Sequence, residues 1–145
     1  MEMMQQALVA AARGWVGVKF HHQGRTREGG VDCLGLLVKV AEECGLAHEG
    51  VALCSLDRVD YGRNPDTRGL QDMLARVARQ VTAYAAGDVV LLSIEGRAQH
   101  LALLADYPHA GELAMIHAYA PAHKVVEHRF DEAWRGRVAA AYRFI

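Results

Sequence analysis

Cys33 lies in the run Val31-Asp32-Cys33-Leu34-Gly35, directly after a residue suited to start a helix. The Asp32 carboxylate can accept the orphan N–H groups of a first helical turn. The thiolate is the reactive form of cysteine, and a helix N-terminus or a protonated imidazole lowers the thiol pKa. The dipole and free N–H groups of the first turn favour negative charge there, and the same groups could hold a developing oxyanion. Position alone leaves two readings open, an activated nucleophile or a buried, inert thiol. Cys44 falls on the apolar side of the same helix and reads as core. Cys54, in an irregular stretch, reads as packing.

A thiol nucleophile needs a base, and histidine is the usual one. Of eight histidines, His100 opens an apolar strand-like segment after Gln99, and His117 lies within Met115-Ile116-His117-Ala118-Tyr119. If the two segments pair through a connection at Tyr107–Glu112, both imidazoles fall close together on one sheet face. His117 could then orient His100 while His100 deprotonates Cys33, the logic of a base held by a third polar group. The alternative is two satisfied, half-buried histidines. His48, His109 and His128 are expected to face solvent, and His123 is ambiguous. His21 and His22 either line a cleft before Cys33 or are exposed. His-His-Gln offers no third ligand at a metal-site spacing, so no metal is expected. Lys19, Arg25 and Arg27 in the same loop either meet an anionic substrate or form a solvated face.

These side chains must be positioned by elements that the sequence pattern suggests. Met4, Leu8, Ala11, Ala12 and Trp15 predict a helix over about Glu2 to Trp15. Val18 to Gly30 is polar and glycine-bearing, hence a loop. Leu34, Leu37, Val38, Ala41 and Cys44 carry a helix that starts at the Asp32 cap and stops at Gly45. Glu49 to Arg68 lacks periodicity and holds the turn signal Asn64-Pro65-Asp66. Leu70, Met73, Leu74 and Val77 predict a helix over about Thr67 to Gln80. After the turn Ala86-Gly87-Asp88, strands are expected at Val89–Leu92, His100–Asp106, Leu113–Tyr119, His123–Phe130 and Val138–Ile145. Helices first and strands later give an α+β class with an antiparallel sheet.

The 145 residues fit one domain, 1–145, with a core large enough to need no staples. Sixteen Lys+Arg against seventeen Asp+Glu argue against nucleic-acid binding, which needs a basic face. No apolar run approaches the roughly 20 residues of a membrane span. Three cysteines cannot complete a disulfide framework, so reduced thiols and a cytoplasmic site of synthesis are expected. Met1 to Trp15 lacks the basic start of a secretory signal peptide.

Taken together, these motifs resemble those of NlpC-type cell-wall peptidases, small papain-like cysteine hydrolases. The resemblance rests on Gly14-Trp15-Val16-Gly17-Val18-Lys19-Phe20 and Val31-Asp32-Cys33-Leu34-Gly35-Leu36. It continues through Gly87-Asp88-Val89-Val90-Leu91-Leu92, Gln99-His100-Leu101-Ala102-Leu103-Leu104 and Ile116-His117-Ala118. It covers about Glu2 to Phe130, and its details look most like a phage-encoded branch that includes tail assembly proteins and prophage peptidases. It implies a papain-like fold with N-terminal helices packed on an antiparallel sheet and the nucleophile at a helix N-terminus. It implies Cys33 as nucleophile, His100 as general base and His117 as the orienting member. Phe20, His21, His22 and Asp32 are the expected substrate contacts. The implied reaction is hydrolysis of peptidoglycan stem peptides, typically between D-glutamate and a diamino acid, through a thioester and without metal or organic cofactor. The implied partners are those stem peptides and other phage tail proteins, with action on the wall from a virion tail. Two departures stand out. Phe20 occupies the region where many relatives carry a tyrosine hydroxyl, and Leu34 replaces a common serine. A tail-tip structural protein with weak or no catalysis, and a thioester-based acyltransferase, are the alternatives.

Overall fold

The structure, a computed structural model, describes residues 2–57 and 67–145. The Asn64-Pro65-Asp66 turn signal lies outside the described residues. Helix α1 spans Met3–Arg13 and buries Leu8, Val9 and Ala12, while Met4, expected on the apolar stripe, is 40% exposed. The following loop contains two short strands, β1 (Arg25–Thr26) and β2 (Gly30–Val31), paired antiparallel. Helix α2 spans Cys33–Glu43, starting at the expected cap. Gly45, at φ +62°, ends it: Gly45 N–H bonds Glu42 O and Leu46 N–H bonds Ala41 O. This pair of bonds satisfies the helix's last carbonyls, and the left-handed residue between them favours glycine. Cys44 is therefore a half-buried C-cap residue that packs against the core rather than lying within it.

A small hairpin, β3 (Ala47–His48) with β4 (Val51–Ala52), and a 3-10 turn at Leu53–Leu56 follow. Helix α3 spans Thr67–Val77 and buries Leu70, Met73, Leu74 and Val77. It ends three residues before the expected boundary, because Ala78–Val81 form strand β5 instead. The remaining strands are β6 (Val89–Ile94), β7 (Arg97–Asp106), β8 (Leu113–Tyr119), β9 (Lys124–Arg129) and β10 (Val138–Phe144). A single-turn helix α4 (Glu132–Arg135) precedes β10. β5 pairs with β10, from Ala141↔Val81 to Phe144↔Ala78. That partner lies some 60 residues away, so local helix periodicity could not show it.

The strands form one antiparallel sheet in the order β5-β10-β6-β7-β8-β9. Alternation along β7 divides its side chains between two faces. Leu101, Leu103 and Ala105 join the core shared with α1 and α2, while Ala102 and Leu104 join a second cluster with Met115 and Phe130. Asp88 is fully buried at the start of β6. Its carboxylate takes two bonds of 2.9 Å from Arg143 on β10 and one of 2.8 Å from Ala85 N–H. No described helix is long and apolar enough to cross a membrane.

Candidate active site

α2 begins with its nucleophile candidate because Asp32 holds the first turn in place. The Asp32 carboxylate accepts from Gly35 N–H at 2.8 Å, from Gln23 N–H at 2.8 Å and from Arg25 Nη1 at 3.1 Å. Arg25 also grips Asp57, with contacts of 2.9–3.2 Å. One carboxylate therefore caps the helix and clamps the preceding loop onto it. Gly35 is required for this approach, since a Cβ there would collide with the Gly24 carbonyl oxygen. On the far side of the loop, Arg27 lies 4.1 Å over the Trp15 ring and bonds Glu43, which also accepts from Trp15 Nε1 at 2.9 Å. Arg25 and Arg27 thus hold the loop rather than forming a free basic face.

β7 and β8 pair from Leu103↔Ile116 to Asp106↔Leu113. Upstream of Leu103 the ladder stops, and the two strands are joined by side chains instead. His100 Nε2 lies 2.7 Å from His117 Nδ1. Where the strands part, a cleft of about 300 Å³ opens, lined by Cys33 and Asp32 from α2 and its cap, Gln99 and His100 from β7, Tyr119 from β8, and Phe20 and Arg137 from loops. The same face encloses His117, which is fully buried. Its ring stacks on Tyr119, with centroids 4.9 Å apart, and meets the Trp134 ring edge-on at 5.2 Å.

No protein-family model matches this sequence, and no curated protein matches it. Solved structures do match in shape. Over its full length the chain superposes on a lipoprotein-like NLP/P60-family protein from Staphylococcus aureus subsp. aureus Mu50, with TM-score 0.65 at 16% identity, and spans 42% of that protein. It matches the NlpC/p60 domain of the peptidoglycan hydrolase SagA with TM-score 0.59 at 20% identity, over 94% of this chain and 96% of that one. The chain has the NlpC/p60 fold. RipD from Mycobacterium tuberculosis, described as a non-catalytic NlpC/p60 domain protein adapted to peptidoglycan binding, shares it too. There the TM-score is 0.57 at 17% identity, over 100% of this chain and 99% of RipD.

Within the NlpC/p60 fold, Cys33, His100, Phe20 and Asp32 share one cleft, and His117 stands behind His100. Among the described residues His21 and His22 do not line it. The His21 ring turns to the His22 carbonyl, Nδ1 to O 2.9 Å. Asp32 lines the cleft, but its carboxylate is occupied by the helix and loop bonds already given. Among the described residues no group of three or more His, Cys, Asp or Glu side chains is arranged to hold a metal ion.

His128, expected to face solvent, is half-buried and turned partly toward His117. Its Nε2 lies 2.9 Å from His117 Nε2, and its Nδ1 lies 2.9 Å from the Arg129 carbonyl. The reason is register: β9 pairs Met115↔His128 and His117↔Val126, which puts His128 on the His117 face. Trp134, Gln99 and Arg137 were also not legible as site residues. Gln99 is 8% exposed, and its side-chain oxygen is buried without a hydrogen-bond partner. An amide directly before the base histidine was the one available signal.

The electrostatics set burial against the helix N-terminus. Burial pushes the Cys33 thiol up to about 12, and the Asp32 charge adds to the effect. The N–H groups of Leu101 and Leu34 and the charge of Arg25 oppose it without prevailing. Burial lowers His100 to about 4, with the Arg137 charge a further cause. Burial, then His100 and His128, lowers His117 to about 2. At neutral pH the resting site therefore holds a neutral thiol beside neutral imidazoles, not a preformed thiolate.

Proposed function

We propose that this chain is an NlpC-type cysteine hydrolase of peptidoglycan stem peptides, with Cys33 as nucleophile, His100 as general base and His117 as the residue that orients it. The observation that carries this reading is the shared cleft: a cysteine at a capped helix start and an imidazole backed by a second imidazole, on a fold whose neighbours include a peptidoglycan hydrolase. A neutral thiol suits proton transfer in step with attack. Cys33 Sγ bonds to the carbonyl carbon as its proton passes to His100 Nδ1. The Cys33 N–H at the start of α2 faces the oxyanion. The C–N bond breaks, the amine leaves with the proton from His100, and a thioester remains. Water then attacks, gives a proton to His100, and the thiol is restored as the carboxylate departs. The bond between D-glutamate and a diamino acid is the proposed scissile bond, and delivery by a phage tail is the proposed route to the wall.

The test is digestion of purified muropeptides with products identified by mass. Wild-type protein should cleave, and Cys33→Ala should lose at least about 10³-fold in kcat/KM while keeping its fold. Full activity in Cys33→Ala would refute the reading. The raised thiol and the RipD neighbour favour a second reading, a wall-binding domain without catalysis. Muropeptide binding by wild-type protein with no cleavage would establish that one instead.

A further inference from the structure

The proposed reaction makes no use of His128, yet its ring stands at the end of a directed hydrogen-bond chain. That chain terminates on the Arg129 main-chain oxygen, which has lone pairs and no proton to give. His128 Nδ1, 2.9 Å away, must therefore carry the proton of that bond. With one proton on the ring, His128 Nε2 is a lone pair, and His117 Nε2 at 2.9 Å must donate to it. His117 Nδ1 is then a lone pair, so His100 Nε2 at 2.7 Å must donate in turn. Each neutral ring has one N–H, so the remaining lone pair of His100 is on Nδ1. Among the described residues, that nitrogen has no hydrogen-bond partner. The opposite direction would set the His128 Nδ1 lone pair against those of the carbonyl.

We infer that His128 is a positioning residue: anchored on the Arg129 carbonyl, it fixes the tautomers of His117 and His100 so that the basic nitrogen of His100 is the one free for the cleft. The inference rests on the reading of His100 as the base for its catalytic meaning, but the tautomer order stands on the hydrogen bonds alone. A free imidazole exchanges between two tautomers. A chain anchored on a carbonyl does not, and second-sphere partners of this kind orient a working imidazole elsewhere in protein chemistry. The rings of Tyr119 and Trp134 pack on His117 and keep its nitrogens pointed along the chain.

Histidine-selective ¹⁵N labelling with two-bond proton–nitrogen spectra at pH 8 reads the tautomers directly. Wild-type protein should show His100 and His117 each with the proton on Nε2. His128→Leu removes the acceptor and should return both rings to a mixture. His128→Gln offers an amide oxygen and should keep the single tautomer. In muropeptide digestion, His128→Leu should lose about 10-fold in kcat with KM within about 2-fold, and His128→Gln should stay within about 3-fold of wild type. A proton on His100 Nδ1 in the wild type, or an unchanged single tautomer and kcat in His128→Leu, would overturn the inference. If His128→Leu fails to fold, the wild-type and His128→Gln spectra still decide it. If wild-type protein cleaves no muropeptide, the hydrolase reading fails while the spectra judge the tautomer order separately.

Discussion

At the scale of single residues, the site is governed by a contest between position and burial. Cys33 has the helix N-terminus that lowers a thiol pKa, yet the loss of water around it and the adjacent Asp32 carboxylate push it up to about 12. This makes a prediction against the usual behaviour of a free thiol, whose alkylation rate levels off above a pKa near 8.5. In the native protein, alkylation of Cys33 by iodoacetamide should be slow at pH 8 and keep rising through about pH 10, as followed by peptide mass spectrometry. Gln99 offers a second residue-scale expectation. Gln99→Leu removes an acceptor that nothing in the resting protein satisfies, so it should leave stability near wild type or slightly above it. The Asp32 cap and the two strand histidines were legible from sequence because capping and strand alternation are local properties. The dominance of burial over the helix N-terminus was not, because desolvation depends on what the rest of the chain packs above the sulfur.

At the scale of elements, two contacts decide where the site-bearing pieces sit. Gly35 lets the 24–25 loop close onto the first turn of α2. Gly35→Ala should push that loop away, costing about 1–3 kcal/mol in denaturant unfolding and lowering kcat/KM with it. Asp88 and Arg143 join β6 to β10, and the carboxylate is fully buried. Asp88→Ala removes both bonds to the Arg143 guanidinium and the bond from Ala85 N–H, so it should cost about 2–3 kcal/mol in the same measurement. The sequence pattern placed α2, β6, β7 and β8 close to where they are, since each carries a continuous apolar period. It placed β5 in a helix and His128 in solvent for one shared reason. Both depend on which strand lies alongside, β10 in one case and β8 in the other, and pairing partners leave no mark on local periodicity.

At the scale of the whole molecule, the sheet and helices together hold two buried imidazoles neutral. Their folded-state pKa values lie below the ordinary value of 6.5, at about 4 for His100 and about 2 for His117. Below pH 6.5 the unfolded chain therefore binds more protons than the folded one, and stability falls as the pH drops. The contribution is fully present above about pH 6.5 and is lost progressively below it, down through about pH 4 for His100 and about pH 2 for His117. Tm should accordingly be flat between about pH 7 and 8 and drop steadily on acidification, with a slope near 1.4 kcal/mol per pH unit for each histidine in unfolding free energy. Thermal unfolding in a pH series checks this. An unchanged Tm between pH 7 and pH 4.5 would show that the rings are not kept neutral by the fold.

The core beneath the nucleophile sets one further limit. Behind Cys33, among the described residues, the packing leaves a space of about 10 Å³ between apolar side chains such as Leu36, Leu37, Val40 and Leu101. That is at the lower edge of what admits one water molecule, and its lining offers a water nothing to bond. Oxygen atoms added to the sulfur by peroxide thus have no room on the inner side. A sulfinic group on Cys33 would have to project into the cleft, where it would occupy the ground a substrate carbonyl needs. Peroxide damage and substrate should therefore exclude one another, and a bound peptide should act as the thiol's shield against oxidation.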